Sequence, residues 1–199
     1  MKKRIVIFAS GNGTNTQNVI KYFQNNKVAE VVCVLSNKKD AKVLERSKAL
    51  RIEGFSFTKS EMLAPDGVIS LLKESAPDLI VLAGFLLKFP KIILQEFPDK
   101  VINIHPALLP KYGGKGMYGH HVHEAVVKNK ESETGITIHY VNEQYDEGAF
   151  IFQKKTYISE KDSPEDVAVK VHALEYEWLP KIIEDLLLDD GRPIGAESK

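Results

Sequence analysis

An amide, an imidazole and two prolines follow closely at the end of an apolar run, Val101-Ile102-Asn103-Ile104-His105-Pro106-Ala107-Leu108-Leu109-Pro110. On an extended chain Asn103 and His105 point to one face with Val101, while Ile102 and Ile104 fill the other. Pro106 lacks a backbone donor and ends the strand. A neutral amide donor and a titratable ring, fixed on a rigid element that opens into a loop, suit a polar reaction at a carbonyl. The same residues equally admit a buried Asn and His bonded to loop backbone. Proton traffic through His105 would need a carboxylate, and Asp146 in Asp146-Glu147-Gly148 is a candidate, although Asp-x-Gly is ordinarily turn chemistry.

A second constellation, Ser10-Gly11-Asn12-Gly13-Thr14-Asn15, follows a short β-branched run and precedes Val19, Ile20 and Phe23 at helical spacing. Backbone N–H groups of such a turn, aimed from a helix N-terminus, bind anions, and glycine allows a phosphate to approach closely. The plainer reading is a strand-to-helix turn with Thr14 or Asn15 as N-cap. The third glycine of a dinucleotide fingerprint would fall at Thr16, and Ser36 and Asn37 follow the second strand where its acid is expected. A phosphomonoester therefore fits better than a dinucleotide. Glu175 edges the apolar stripe of the last helix, as a salt-bridge partner or a ligand for ribose hydroxyls. His120, His121 and His123 lack metal-ligand spacing and a neighbouring cysteine, so helix-start hydrogen bonding is favoured over a metal.

The elements that must position these residues alternate. Strands are expected over 5–9, 31–35, 55–57, 78–83 and 101–104, with helices over 41–50, 66–74 and 91–97 between them. The 78–83 run is apolar on both faces, which marks a central parallel strand. After it Phe85, Leu87 and Phe89 either join the core or wall a slot for a flat heterocycle. Residues 113–119 are glycine-rich and read as a mobile loop or lid. Residues 134–141 and 150–157 form an antiparallel hairpin. Ser163, Pro164 and Asp166 announce a last helix with Val167, Val171, Leu174 and Trp178 as its stripe and a kink at Pro180. The fold expected is Rossmann-like α/β, a doubly wound, mostly parallel sheet with an antiparallel hairpin in its C-terminal part.

The 199 residues suit one domain, with a phosphate-binding half over about 1–100, a catalytic half over about 101–192, and a disordered tail over 193–199. Lys+Arg and Asp+Glu are both 27, so no broad field invites nucleic acid or an anionic membrane. Neither a secretory signal nor a membrane span is expected. The single cysteine, Cys33, sits in an apolar run and rules out an internal disulfide, which points to the cytoplasm.

Taken with Leu82-Ala83-Gly84-Phe85, the continuation Lys111-Tyr112 and Gly135-Ile136-Thr137-Ile138-His139, these segments resemble the phosphoribosylglycinamide formyltransferase family of purine biosynthesis. The resemblance runs from the first strand to the last helix. It implies transfer of the formyl group of 10-formyltetrahydrofolate, as cosubstrate, to the amine of glycinamide ribonucleotide, without a metal. It implies Asn103, His105 and Asp146 as catalytic residues; Asn103 would donate to the developing oxyanion, and His105, if protonated through the Asp146 carboxylate, would add charge stabilisation and pass a proton to the departing folate nitrogen. Gly11, Asn12, Gly13, Thr14 and Asn15 would hold the phosphate, and Glu175 the ribose. Leu86, Leu87, Lys88, Phe89, Asn103, Val141, Asn142, Glu143, Tyr145 and Asp146 would form the folate pocket. Partners are then small molecules only, in a monomer or homodimer. Two departures stand out: the loop over 113–119 is longer than is usual in the family, and no basic residue for the folate tail can be assigned in the compressed 59–67 region. Related tRNA-directed formyltransferases and formyltetrahydrofolate hydrolases share the catalytic residues but carry a further domain, and a non-catalytic binding module of the same fold is the alternative from another class.

Overall fold

The computed structural model describes residues 1–188; the tail expected over 193–199 lies outside the described residues. Seven strands form one sheet in the order β3-β2-β1-β4-β5-β6-β7. They are β1 (Lys3–Phe8), β2 (Ala29–Ser36), β3 (Glu53–Ser56), β4 (Leu79–Leu82), β5 (Val101–His105), β6 (Glu133–Tyr140) and β7 (Phe150–Tyr157). The first five are mutually parallel, β6 runs antiparallel to β5, and β7 closes the expected hairpin with β6. β3 begins earlier than expected, because its pairing with β2 starts at Glu53 against Cys33.

Strict alternation along each strand divides the core. In β1, Ile5 and Ile7 face one layer and Val6 and Phe8 the other, all fully buried. The first layer is covered by α1 (Thr14–Gln24), α2 (Lys42–Ala49), α6 (His120–Lys128) and α7 (Pro164–Leu188). The second is covered by α3 (Lys59–Leu63), α4 (Val68–Ser75) and α5 (Lys91–Glu96). Helices on both faces explain why β4 is buried along its whole length. α3 was not expected; its start is a capping box in which Thr58 and Glu61 satisfy each other's backbone N–H. α7 starts as expected, with Ser163 and Asp166 bonded reciprocally, and continues through Pro180 as one helix.

The chain leaves β1 to one side through β2 and β3, and to the other through β4 and β5, so the sheet's direction of winding reverses between β1 and β4. Open α/β sheets bind ligands at the carboxyl ends of the strands flanking such a point. Phe8, the last residue of β1, packs edge-on against Phe57, Phe85 and Phe89 with ring centroids 5.9, 5.4 and 5.2 Å away. That cluster anchors the turn after β4.

Candidate active site

Ser10, two residues beyond the end of β1, ties three carboxyl-end loops together. Its buried hydroxyl donates to Asn37 Oδ1 at 2.6 Å and accepts from the Leu86 N–H at 2.9 Å, while its own N–H reaches the Gly84 carbonyl. Next to it the Gly loop enters α1. The N-cap is Gly13, at φ 73°, and not Thr14 or Asn15 as expected, which are the first residues of the helix. Glycine is required there twice over: the left-handed backbone disfavours a side chain, and a Cβ would lie 2.3 Å from Val43. No side chain caps α1 and its first turn carries no acid, so its leading N–H groups are open to an anion. Arg46 buttresses the loop from α2, donating to the Asn12 carbonyl, to Asn12 Oδ1 and to Gln17. From α7, buried Glu175 accepts from Asn15 Nδ2 at 2.9 Å and from His172 Nδ1 at 2.7 Å. The sequence reading named Ser10 in the loop without giving it a role, and missed Arg46 and His172. Of these only His172 carried a signal, lying three residues before Glu175 and so on the same helix face.

Asn103 and His105 lie at the end of β5, as expected. Asn103 is paired directly across the antiparallel ladder with His139 of β6, and His105 with Thr137. Asn103 Nδ2 is 3.1 Å from His139 Nε2 and 3.5 Å from Asp146 Oδ1, and His105 Nδ1 is 3.5 Å from the same Asp146 oxygen. His139 donates through Nδ1 to the Tyr140 carbonyl, and its Nε2 faces both Asn103 Nδ2 and, at 3.6 Å, Asp146 Oδ1. His139 was not assigned to the site; its opposition to Asn103 follows from the register of β6 against β5.

Asp146 stands in the β6–β7 loop at φ 58°, and Gly148 lets that loop close over the site: a Cβ at 148 would lie 1.6 Å from the Tyr140 carbonyl oxygen and 3.4 Å from His139. The second Asp146 oxygen accepts the Gly114 N–H at 2.9 Å. Burial alone would raise the Asp146 carboxyl. The hydrogen bond from His139, the His105 ring and the Gly114 N–H outweigh it and hold the carboxyl below its ordinary value. His105 donates from Nε2 to the Tyr112 carbonyl at 2.7 Å. Burial pushes this imidazole below its ordinary value, and the attraction of Asp146 only partly offsets the effect. The lowered value favours the neutral ring, whose bare Nδ1 faces a carboxylate and can take up a proton.

The anion loop and this cluster line one cavity of about 890 Å³, with Glu175, His123 and residues 114–119 completing its wall. Buried Asn15 Oδ1 and His123 Nδ1 have no partner, a sign of a polar occupant. His120 also lines the cavity, whereas His121 bonds Glu124 on the surface. A second cavity of about 470 Å³ adjoins it through Leu86 and Tyr145, which border both. Leu87, Lys88, Phe89, Glu143, Met62 and Leu63 line this second cavity. Phe89 and Met62 are core residues, 4% and 2% exposed, that reach the slot from below, while Leu63, Leu86 and Leu87 stand more exposed around it. Val141 packs against the core and Asn142 accepts from the Gln144 N–H, and neither borders either of these two cavities.

A bare imidazole beside a carboxylate and an amide can move a proton while a carbonyl carbon changes partners, and on this fold such chemistry defines a group-transfer enzyme of the α/β class. The model of a family described as formyl transferase matches residues 3–183. A chloroplastic phosphoribosylglycinamide formyltransferase from Arabidopsis thaliana is 35% identical, over 97% of this chain and 70% of its own length. One from Bacillus subtilis is 34% identical over 93% and 95%. The crystal structure of phosphoribosylglycinamide formyltransferase from Bacillus halodurans superposes with a TM-score of 0.83 at 33% identity, covering 93% of this chain and 95% of that one. The chain belongs to the formyl transferase family, alongside its phosphoribosylglycinamide formyltransferases. No helix among the described residues is long and apolar enough to cross a membrane.

Proposed function

We propose that this enzyme transfers the formyl group of 10-formyltetrahydrofolate to the amine of phosphoribosylglycinamide, giving formylglycinamide ribonucleotide and tetrahydrofolate in purine biosynthesis. The observation that carries the reading is one cavity wall holding an uncapped helix N-terminus at one end and Asn103, His105 and Asp146 at the other. The acceptor's phosphate binds the α1 N-terminus and its ribose meets Glu175. The folate enters through the slot beside Leu86 and Tyr145.

The amine lone pair attacks the formyl carbon, and the carbonyl becomes an oxyanion. Asn103 stabilises that charge by exchanging its long 3.5 Å contact with Asp146 for the oxyanion. Such donors are worth roughly 10²–10³ in rate. His105 Nδ1 takes the proton released by the new ammonium, and the imidazolium so formed is paired with Asp146 at 3.5 Å. The proton then passes to the departing folate nitrogen as its bond to the formyl carbon breaks, and His105 returns to neutral. Only small molecules take part, and the reading places them in the cytoplasm, which suits a chain whose one cysteine is a buried thiol.

The test is acceptor dependence. Purified protein is expected to consume 10-formyltetrahydrofolate only when phosphoribosylglycinamide is present. Release of formate at the full rate with water alone would identify a hydrolase instead, and no turnover with either would leave a binding module.

A further inference from the structure

His172 links the two sides of the anion end. Its Nδ1 lies 2.7 Å from Glu175 Oε2, and its Nε2 lies 3.0 Å from Thr14 Oγ1 on the first residue of α1. A carboxylate cannot donate, so Nδ1 carries a hydrogen and donates to Glu175. Nε2 is left as the atom whose state can change. Bare, it accepts the Thr14 hydroxyl hydrogen; protonated, it donates to Thr14 Oγ1. A hydroxyl has one hydrogen, so the two states aim that hydrogen in opposite directions.

We propose that His172 is a proton-gated positioning residue: protonated, it frees the Thr14 hydroxyl hydrogen to donate to a bound phosphate, and deprotonated, it withdraws that donor along with its own positive charge. The inference rests on the reading of this loop as the phosphate site. The groups around the ring are Glu175 and Tyr176 on its own helix, Thr14 and Asn15 on α1, and His120 and His123 on α6, while Lys38 and Lys115 line the same cavity from two loops. The hydrogen bond to Glu175 raises the His172 imidazole above its ordinary value against the effect of burial. Burial lowers that of His123, which favours its neutral form. Because the His172 value is raised, the donor state is filled below about pH 6.5 and is lost as pH rises through the folded-state value.

Ribose 5-phosphate is the probe, titrated calorimetrically between pH 6 and 9 into the protein and into His172→Gln. The phosphate's own ionisation affects both proteins alike and cancels in the ratio of their affinities. That ratio is expected to be about tenfold at pH 6, the low end for a hydrogen bond involving a charged group, and to fall to about one at pH 9. By linkage, saturating ribose 5-phosphate raises the His172 titration midpoint, followed by NMR, by the same factor. His172→Lys, which keeps a charge, is expected to bind with a ratio to His172→Gln that does not change over this range. A pH-invariant ratio for the natural residue, or an unmoved His172 midpoint, overturns the gate. Gly11→Glu separates the two readings, since a Cβ at Gly11 meets nothing within 4 Å and the added carboxylate repels an anion at the loop. Binding that survives Gly11→Glu removes the phosphate site and the gate together. Binding lost in Gly11→Glu, with a pH-invariant ratio, removes the gate alone.

Discussion

His105 and Asp146 are buried together, but their environments prepare them for different tasks. The carboxyl receives hydrogen bonds and stays ionised, whereas the ring makes one bond to a carbonyl and loses its charge to burial. A neutral base next to a fixed anion is stable as it stands and gains an ion pair on accepting a proton. The sign follows directly. Because the folded-state value of His105 lies below about 6.5, the base form predominates at neutral pH and is lost only as pH falls further. The carboxyl's contribution to stability, present above its unfolded value, is lost as pH falls through its depressed folded value. In the free protein the NMR titration of His105 is expected to have its midpoint below 6.5. Asp146→Asn, which removes the attractive charge, is expected to lower the midpoint further and to reduce turnover by roughly 10²–10⁴. A midpoint above 6.5, or an unchanged rate in the variant, would contradict the assignment.

Elements set these distances. The exit from β5 is fastened to β6 by Thr137, whose hydroxyl donates to the Ala107 carbonyl at 2.7 Å and accepts from the Leu109 N–H and from Gln153. The prolines shape the turn, and this hydroxyl holds it. Thr137→Val keeps the volume and leaves those groups unpaired in a buried place, which costs about 1–3 kcal/mol. Urea melts are expected to record that loss, and turnover should fall with it because His105 sits directly across the ladder; an unchanged urea midpoint would show that the hydroxyl holds nothing. Strand identity, the hairpin and the start of α7 were legible in the sequence, since alternation and capping residues are local signals. The partner of Asn103 was not, because His139 is inward-facing on a strand whose register against β5 depends on the whole sheet. The Gly13 cap was hidden for a related reason. Thr14 is the better capping residue by type, but Val43, thirty residues away, leaves no room for a side chain at the left-handed position before it.

At the scale of the molecule, the reversal of winding between β1 and β4 makes these local features one site. It opens a crevice whose wall is drawn from Ser10 at one end of the chain to Glu175 near the other. The anion loop and the Asn103 to Pro110 segment could be recognised from residue types. That Ser10 locks the loops after β1, β2 and β4 could not, since a serine hydroxyl finds partners only once the fold brings Asn37 and Leu86 beside it. The glycine-rich loop read as a lid is likewise tied at its start to the chemistry, with the Tyr112 carbonyl on His105 and the Gly114 N–H on Asp146. The proposed reaction is direct transfer between two small molecules held in this crevice. Its most direct test is a single turnover with enzyme in excess over 10-formyltetrahydrofolate carrying ¹³C in the formyl group, phosphoribosylglycinamide present, quenched and resolved by mass spectrometry. The label is expected in formylglycinamide ribonucleotide, one for each tetrahydrofolate formed. Label recovered on the protein, or as formate, would contradict it.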